Sequence, residues 1–383
     1  MAARGGGVYL MSANIRVPLL DLKREYQAIR EEIQAAWASV LEKMHLLKGE
    51  NVTAFEREIA QLVGTEHAVG VASGTDALLL SVRALEIGAN DEVVLHANAF
   101  VAALEAVLHA GAKPVLVDAA EGDFGPDLEQ IRRAITPRTK AVIAVHLYGY
   151  PLPLEPLVDL CAQQGISLIE DCSHAHGARR DGRHVGSFGR VGCFSAGVVK
   201  NLGAYGDAGF LTTNDASLAA KVRLLQAHGQ ARKNDHQLYG FNSRLDELQA
   251  AVLRVKLRYL EERNARRRAI ANYYREQFAA LPVIVPAEPK DTVAAYHQFV
   301  IRTKKRDALQ AYLKDAGIET GVHYPVPLHL QPAWTRQGRG SYSFPRAEQY
   351  AAELLSLPVF PDLTDAEVEY VARSVQRFFQ QQR

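Results

Sequence analysis

Three short segments of this sequence hold side chains whose types and positions can do chemistry together. The first, Ser73-Gly74-Thr75-Asp76, is a turn of small residues that leads into a predicted helix. The free N–H groups and the dipole of a helix N-terminus favour an anion, Gly74 lets the backbone approach it, and Thr75 adds a hydroxyl. A phosphate site is therefore one interpretation. The other is a plain turn in which Ser73 or Thr75 caps the helix.

The second segment places an acidic side chain directly after an apolar strand. Asp171 follows the run Ser-Leu-Ile-Glu, and a residue at that point lies in the crevice at the carboxyl edge of a sheet. A carboxylate is costly to bury there unless it meets a cation. A pyridinium nitrogen is such a cation, because pyridoxal enzymes give that nitrogen an acidic partner. The alternative is a carboxylate that only caps the next turn.

The third segment contains one lysine, Lys200, between an apolar run and a glycine-rich run. Most lysines lie on solvated surfaces, so this setting is unusual. Desolvation and nearby positive charge lower the pKa of a lysine, which makes its amine competent to form a Schiff base. The alternative is a lysine on an exposed loop.

The elements that must position these side chains follow a regular rhythm. Residues 26–62 have apolar positions at helical spacing, and from about residue 67 short apolar runs alternate with helical segments. Nearly all-apolar strands are expected when helices cover both faces of a sheet, which predicts an α/β fold with a mostly parallel sheet. Residues 244–280 predict one long charged helix, and residues 295–383 predict a smaller α+β unit.

This pattern predicts three parts of the chain. They are an N-terminal arm over residues 1–25, a large α/β domain over residues 26–250 and a small C-terminal α+β domain over residues 251–383. Within the arm, the three glycines at Gly5 to Gly7 predict a disordered tail.

Composition argues against several classes of function. The 383 residues carry a formal net charge of +1, so no global field recruits nucleic acid or a membrane surface, and we expect a small-molecule partner. No apolar run approaches the ~20 residues of a membrane helix, and the start lacks a signal peptide. Cys161, Cys172 and Cys193 are odd in number without CxxC spacing, which predicts no disulfide framework, no metal site and a cytoplasmic location.

Five segments, taken in order, resemble the DegT/DnrJ/EryC1/StrS family of sugar aminotransferases. They are SGTDAL, EDCSHAHGA, FSAGVVKNLGAYGDAGFLTTND, GFNSRLDELQAAVL and HYPVPLHL. The resemblance runs from about residue 17 to the C-terminus. It implies the aspartate-aminotransferase-like fold, fold type I of the pyridoxal phosphate enzymes, and pyridoxal 5′-phosphate as cofactor. It also implies amino transfer from an amino acid, with glutamate expected, to a nucleotide-linked keto-sugar.

The resemblance implies a role for each matching residue of the catalytic centre. Lys200 matches the lysine that forms the Schiff base and moves the proton, and Asp171 matches the carboxylate paired with the pyridine nitrogen. His174 matches a position that faces the ring hydroxyl, although it could simply satisfy a backbone group. Phe100 matches the aromatic residue that stacks on the ring, although it could be ordinary core.

Other matching positions surround that centre. Gly74, Thr75 and Ser195 match phosphate contacts. Asn242 matches an asparagine that reaches the phosphate of the other subunit, so a homodimer with shared active sites is implied. A last segment matches one near the sugar, with a structural role as its alternative, and its candidates are His323, Tyr324 and His329. No chemistry is assigned to His146, His176 or Arg244, which lie in the same motifs.

One departure from the family pattern lies beside the lysine. The family usually has an aromatic residue after the phosphate serine and a small residue before the lysine. Here Ala196 follows Ser195, and Val198 and Val199 precede Lys200. We expect an altered wall beside the lysine and, with it, altered substrate size and specificity.

The resemblance also ranks the possible functions. VHLYG, KNLGAYGD and HYPVPLHL are most similar to enzymes that aminate C3 of dTDP-3-keto-6-deoxyhexoses, and a C4 aminotransferase of a nucleotide-4-keto-sugar is the second choice. Sugar dehydratases of the same fold have His in place of the lysine, so Lys200 argues against that class. A non-catalytic regulator that senses the cofactor or a sugar would not need Lys200, Asp171 and Ser195 together.

Overall fold

The computed structural model describes residues 16–122, 124–288, 290–336 and 342–381, so most of the predicted arm, with Gly5 to Gly7, lies outside the described residues. The helices in this part of the chain are α1 (Leu22–Lys43), α2 (Glu50–Val63), α3 (Gly74–Ala84), α4 (Val101–His109), α5 (Leu128–Ala134), α6 (Glu155–Gln164), α7 (Ala216–Leu225), α8 (Glu247–Leu257), α9 (Leu260–Phe278), α10 (Arg306–Asp315), α11 (Pro332–Thr335), α12 (Pro345–Glu353) and α13 (Asp365–Gln380). The strands are β1 (His67–Val71), β2 (Glu92–His96), β3 (Lys113–Val117), β4 (Thr139–Val145), β5 (Ser167–Asp171), β6 (Arg179–Arg180), β7 (Arg183–His184), β8 (Val191–Ser195), β9 (Gly209–Thr213), β10 (Gln230–Arg232), β11 (Asp235–His236), β12 (Thr292–Val293), β13 (Phe299–Arg302) and β14 (Leu354–Leu357).

A seven-stranded sheet forms the centre of the molecule, in the order β1-β9-β8-β5-β4-β2-β3. Strands β8, β5, β4, β2 and β3 pair in parallel, and β9 runs antiparallel to both of its neighbours. Six of the seven strands therefore point the same way, and their carboxyl ends meet at one edge. The predicted α/β fold with a mostly parallel sheet is confirmed.

Apolar side chains on both faces of the sheet explain why its strands lack polar alternation. Along β2, Val93 and Leu95 lie in one buried cluster with Leu78 and Val107 of the helices on that face. Val94, between them in sequence, lies in a different cluster on the opposite face, with Leu157 and Leu160 of α6. Successive strand residues point to opposite faces, so both faces must be apolar when helices cover both.

Helix α1, which precedes the sheet in sequence, packs against helices that follow the sheet. Ile29 and Ile33 of α1 share a buried cluster with Val252 and Val255 of α8. Arg24 of α1 forms a bidentate pair with Glu367 of α13, with both N–O distances 2.8 Å. The C-terminal unit is built on the antiparallel pair of β13 and β14, as the predicted small α+β region requires.

The predicted continuous helix over 244–280 is wrong. It is two helices, α8 and α9, which are separated at Arg258 and Tyr259. The N–H of Tyr259 donates to the carbonyl of Lys256, three residues back, and its hydroxyl donates to Glu32 of α1. The break coincides with this tertiary contact, in a sequence whose own pattern is helical throughout. The predicted domain boundary at 250/251 falls inside α8 and stays a prediction.

No helix in the described ranges has both the length and the apolar character that a membrane span requires.

A buried carboxylate from a distant helix caps α2. Its N-cap is Gly49, which has no side chain to accept from the free N–H groups. Glu247 of α8 supplies the acceptor, because its carboxylate oxygens lie 3.0 and 2.9 Å from the backbone nitrogens of Asn51 and Val52. A Cβ at Gly49 would lie 2.6 Å from the Glu247 carboxyl carbon, so the glycine and the carboxylate depend on each other.

We expect Glu247→Ala to lower the free energy of unfolding by about 1–3 kcal/mol, because two helix N–H groups lose a buried, charged acceptor. Urea denaturation followed by circular dichroism measures the change. Glu369→Ala is the matched control, since it removes only an exposed pair with Arg373 within α13 and should cost less than about 0.5 kcal/mol. Equal losses in the two variants would show that Glu247 is not a cap.

Candidate active site

The carboxyl edge of the sheet brings together most of the residues singled out from the sequence. Gly74 follows β1, Phe100 follows β2, Asp171 ends β5 and Ser195 ends β8. Because these strands share one direction, the loops that follow them converge on the crevice where open α/β sheets bind ligands.

The turn after β1 is built for a close approach of backbone. Ser73 is the N-cap of α3, and its hydroxyl oxygen accepts from the N–H of Asp76 at 3.1 Å. Gly74 is buried at the first helical position, and a Cβ there would lie 2.4 Å from the Cβ of Ser195. Only glycine lets the two loops meet this closely, so Gly74, the partly buried Thr75 and Ser195 lie together at a helix N-terminus. Ser73 can therefore cap α3 while the same turn remains open to an anion, and a helix N-terminus of this kind suits a phosphate.

Asp171 is a buried carboxylate without a basic partner. Its Oδ1 accepts from the N–H of Ser173 at 3.0 Å. Among the described residues no basic side chain lies within ion-pair distance of it. Burial raises the pKa of Asp171, while the Ser173 hydrogen bonds and the charge of Lys200 act in the opposite direction. The local hydrogen bonds do not repay the cost of burying the charge, so the site suits a cationic ligand atom.

Lys200 lies in the turn after β8, where its backbone N–H donates to the carbonyl of Gly197 at 2.9 Å. The side chain is partly buried, so it is not the exposed-loop lysine of the alternative interpretation. Desolvation lowers the pKa of Lys200 to about 8, and the charge of Asp171 opposes that shift. Near neutrality, a lysine with this pKa is neutral far more often than an ordinary lysine, as an amine nucleophile and base requires.

The next residue, Asn201, fixes this turn to the small unit. Its amide nitrogen donates to the Oδ1 of Asn264 at 2.9 Å and to the carbonyl of Ala295 at 2.8 Å. Both partners and Asn201 itself are buried, so the hydrogen bonds hold the backbone beside Lys200 in one conformation.

His174 has a defined tautomer. Its Nδ1 accepts from the backbone N–H of Tyr148 at 3.2 Å, so the ring proton lies on Nε2, which is 3.5 Å from the Tyr324 hydroxyl. Burial and the positive charge of Lys200 hold the pKa of His174 well below its ordinary value, so the ring is neutral. A neutral ring with an Nε2–H is the donor that an anionic ring oxygen requires.

Phe100 does not belong to the core, because 45% of its surface is exposed. Its ring lies 5.1 Å from that of Tyr324, centroid to centroid, at an interplanar angle of 37°. The structure thus brings Phe100, Tyr324 and His174 together, with an open ring face available for stacking.

The last predicted segment is divided between two environments. The carbonyl of His323 accepts from the Tyr148 hydroxyl, and its Nδ1 lies 2.9 Å from the Ser356 Oγ. His329 is buried instead against α12, with its Nε2 3.1 Å from the Glu348 carboxylate. The contacts of His329 are those of a structural residue, whereas His323 and Tyr324 adjoin the His174 side of the site.

Asn242 is exposed, and its Oδ1 accepts from the Arg244 guanidinium at 2.8 Å. The neighbouring Ser243 lies against the turn after β1, because its hydroxyl donates to Asp76 at 2.9 Å and accepts from the N–H of Ala72 at 3.2 Å. This segment therefore adjoins the candidate phosphate turn, and Asn242 itself points to solvent.

The unusual residues before Lys200 differ in exposure. Ala196 is fully buried, whereas Val198 and Val199 are 37% and 45% exposed. Gly197 lies between them, and a Cβ there would meet only the Ser195 Oγ, at 3.5 Å. The expected effect of these residues on substrate specificity stays a prediction.

Three residues of the site were not found from the sequence. Tyr148 and His297 both contact His174, and Asn201 anchors the Lys200 turn. In the sequence, His297 belongs to a run that predicts only a strand, and nothing in that run indicates that its ring reaches the crevice. The one feature that could have drawn attention to it is the histidine itself, two residues before the apolar strand β13.

A buried trio behind the sheet edge, His146, Glu170 and Cys172, has the ligand types of a metal site. Its hydrogen bonds give it a different role. Glu170 accepts from the N–H groups of Gly186 and Gly189 at 2.7 and 2.6 Å. Both nitrogens of His146 are also engaged, one with Glu170 and one with a backbone N–H. His146 and Glu170 therefore form a satisfied structural pair, with Cys172 buried beside them.

The residues at the carboxyl edge fit pyridoxal 5′-phosphate. Gly74, Thr75 and Ser195 offer donors for a phosphate, and Asp171 offers a buried carboxylate for a protonated ring nitrogen. Lys200 offers an amine of lowered pKa for the aldehyde, and His174 offers an N–H for the ring oxygen. The strongest structural observation is that Asp171 has no basic partner of its own.

Comparisons with known proteins identify the chain independently. The model of the DegT/DnrJ/EryC1/StrS aminotransferase family matches residues 27–376. The chain is 44% identical over 349 residues to dTDP-3-amino-3,4,6-trideoxy-alpha-D-glucose transaminase of Streptomyces venezuelae, which covers 91% of this chain and 92% of that protein. It is 41% identical over 367 residues to UDP-N-acetyl-3-dehydro-alpha-D-glucosamine 3-aminotransferase of Acidithiobacillus ferrooxidans, covering 96% of this chain and 99% of that one.

A solved structure agrees with both relatives. The crystal structure of DesV of S. venezuelae in complex with a ketimine intermediate superimposes with a TM-score of 0.93 at 43% identity and covers 96% of this chain and 99% of that chain. The predicted family, fold type and pyridoxal phosphate dependence are confirmed. The chain belongs to the DegT/DnrJ/EryC1/StrS family of aminotransferases.

Proposed function

We propose that this protein transfers an amino group from glutamate to C3 of a dTDP-linked 3-keto-6-deoxyhexose. The observation that carries amino transfer is the buried Asp171 carboxylate, which has no ion-pair partner among the described residues and lies near a lysine of lowered pKa. The choice of C3 is supported by relatives whose names specify a 3-amino or 3-dehydro sugar. A regulator is disfavoured because Lys200, Asp171 and Ser195 are all present in one site.

Each side chain has a task in this reaction. When bound, pyridoxal phosphate supplies an electron-withdrawing ring that accepts the electron pair released at the amino-bearing carbon. Asp171 keeps the ring nitrogen protonated, and His174 donates its Nε2–H to the ring oxygen. Lys200 Nζ takes the proton from the amino-bearing carbon and returns it during the proton transfer. The turn at Gly74 and Ser195 would hold the phosphate, and Phe100 would stack on the ring.

We also propose a homodimer in which Asn242 contributes to the partner's phosphate site. Its exposure, together with that of Tyr239, which is 99% exposed in the same segment, supports a surface that a second copy covers. Sedimentation equilibrium of the purified protein measures the mass, and a monomer with full activity would contradict this proposal.

A panel of acceptors tests the proposed function. With glutamate as donor, we expect amination of dTDP-3-keto-6-deoxyhexoses, read by mass spectrometry of the product. Contacts to the nucleotide supply binding energy remote from the reacting carbon, so the free keto-sugar should lose turnover as well as affinity. Amination of 4-keto substrates alone would instead support the C4 alternative and refute the C3 assignment.

The reactivity of Lys200 should follow its lowered pKa. Only the neutral amine attacks the cofactor aldehyde, and the neutral fraction of Lys200 increases as pH rises through about 8. We therefore expect the rate of covalent cofactor attachment to the cofactor-free protein to rise with a midpoint near pH 8, measured by stopped-flow absorbance. Nα-acetyl-lysine in solution is the control, with its midpoint near the ordinary value of about 10.4. A protein midpoint near that of the control would contradict the desolvated lysine.

Asp171→Asn should bind the cofactor but lose turnover by roughly a hundredfold or more, because a neutral amide no longer favours the protonated ring nitrogen. Steady-state kinetics and cofactor absorbance measure the two effects. Asp118→Asn is the matched control, since Asp118 is also a buried aspartate after a strand, but it accepts from the N–H groups of Arg346 and Ala347. It should keep its turnover number, and an equal loss in both variants would remove Asp171 from the mechanism.

A further inference from the structure

His297 occupies a position in the site that the proposed reaction does not yet use. Its ring lies 4.5 Å from the His174 ring, centroid to centroid, at an interplanar angle of 39°. The side chain is partly buried, and the charges that act on it include those of Lys200 and His323. His297 therefore lines the same crevice as the catalytic lysine.

The tautomer of His297 follows from its neighbour Asn201. The amide nitrogen of Asn201 donates to Asn264 and to Ala295, which leaves its Oδ1 as the acceptor on the other side. The Nδ1 of His297 lies 3.2 Å from that Oδ1, so Nδ1 carries the ring proton. Burial and nearby positive charge keep the pKa of His297 well below its ordinary value, so the ring is neutral and Nε2 has a free lone pair.

The Nε2 lone pair has no hydrogen-bond partner within the described ranges of the chain. A lone pair cannot bind the anionic ring oxygen or phosphate of the cofactor, nor a carboxylate of the amino donor, because all of these are acceptors. It accepts from an O–H or N–H group. A hexose carries hydroxyls beside its reacting carbon, and the glutamate half-reaction tests separately for a contact with the amino group of the donor. The two neighbouring rings thus differ in their hydrogen-bonding role: His174 donates through its Nε2–H, and His297 accepts at its Nε2.

We propose that His297 is a substrate-binding residue whose Nε2 accepts a hydrogen bond from a hydroxyl of the keto-sugar adjacent to the carbonyl carbon. This inference rests on the proposed function. The contact orients the sugar ring and selects hexoses that carry the hydroxyl over their deoxy analogues, since a site built around a hydrogen bond discriminates against a ligand that lacks it.

His297→Asn is the decisive variant, because the asparagine amide N–H can replace Nδ1–H toward Asn201 while the acceptor at Nε2 is lost. The two half-reactions, followed by cofactor absorbance, separate donor from acceptor. We expect the glutamate half-reaction to stay within about twofold of wild type. For the hydroxylated keto-sugar, kcat/KM should fall about tenfold, the effect of one neutral hydrogen bond at the upper end of its range.

His297→Gln is the rescue variant, since its amide oxygen reaches the position of Nε2 and should recover most of the loss. The 2-deoxy and 4-deoxy analogues identify the contacted hydroxyl. For the analogue that lacks it, kcat/KM should be about the same for wild type and His297→Asn. Calorimetry with a non-reactive dTDP-hexose and the cofactor-free protein provides a readout apart from turnover, and the affinity should fall by a similar factor.

Two results would overturn this inference alone. One is an equal slowing of both half-reactions in His297→Asn, which is the effect of a structural residue. The other is an equal loss of kcat/KM in His297→Asn with every sugar, whether deoxy or hydroxylated. By contrast, a wild-type protein that completes the glutamate half-reaction but aminates no keto-sugar would overturn the proposed function, and this inference with it.

Discussion

The cost of burying the Asp171 carboxylate is the constraint on which the rest of the site depends. Hydrogen bonds from Ser173 and the charge of Lys200 compensate part of that cost, but the pKa of Asp171 is still raised, so together they do not repay the desolvation of a charge. Within the described part of the chain, no basic side chain lies within ion-pair distance of this carboxylate. A cationic ring nitrogen beside this carboxylate would offset the cost of its burial, so we expect cofactor binding and the stability of this edge to be coupled.

The topology of the sheet makes that arrangement possible. Residues far apart in sequence, from the turn at Gly74 to the turn at Lys200, meet because six strands end at the same edge. Two of these loops approach so closely that a single methyl group at Gly74 would collide with Ser195. The buried amide of Asn201 hydrogen-bonds to Asn264 of α9 and to the segment before β13, and so holds the Lys200 turn in place.

Much of this could be predicted from the sequence, because the relevant signals are local. Apolar runs gave the strands, and the residues just after them gave Asp171 and the turn at Gly74. What could not be predicted depends on contacts between distant segments. The break between α8 and α9 lies where Tyr259 donates to Glu32 on another helix, and the role of His297 follows from Asn201, almost a hundred residues away.

The central claim is that Lys200 is the lysine that binds the cofactor covalently. Lys256 is the natural comparison, because it is also buried, but its Nζ lies 2.8 Å from the Glu25 carboxylate and keeps a charged partner. Borohydride reduction of the protein with pyridoxal phosphate, followed by peptide mapping with mass spectrometry, distinguishes them. We expect a single modified peptide that contains Lys200. Modification of Lys256 or of any other lysine, with Lys200 untouched, would contradict it.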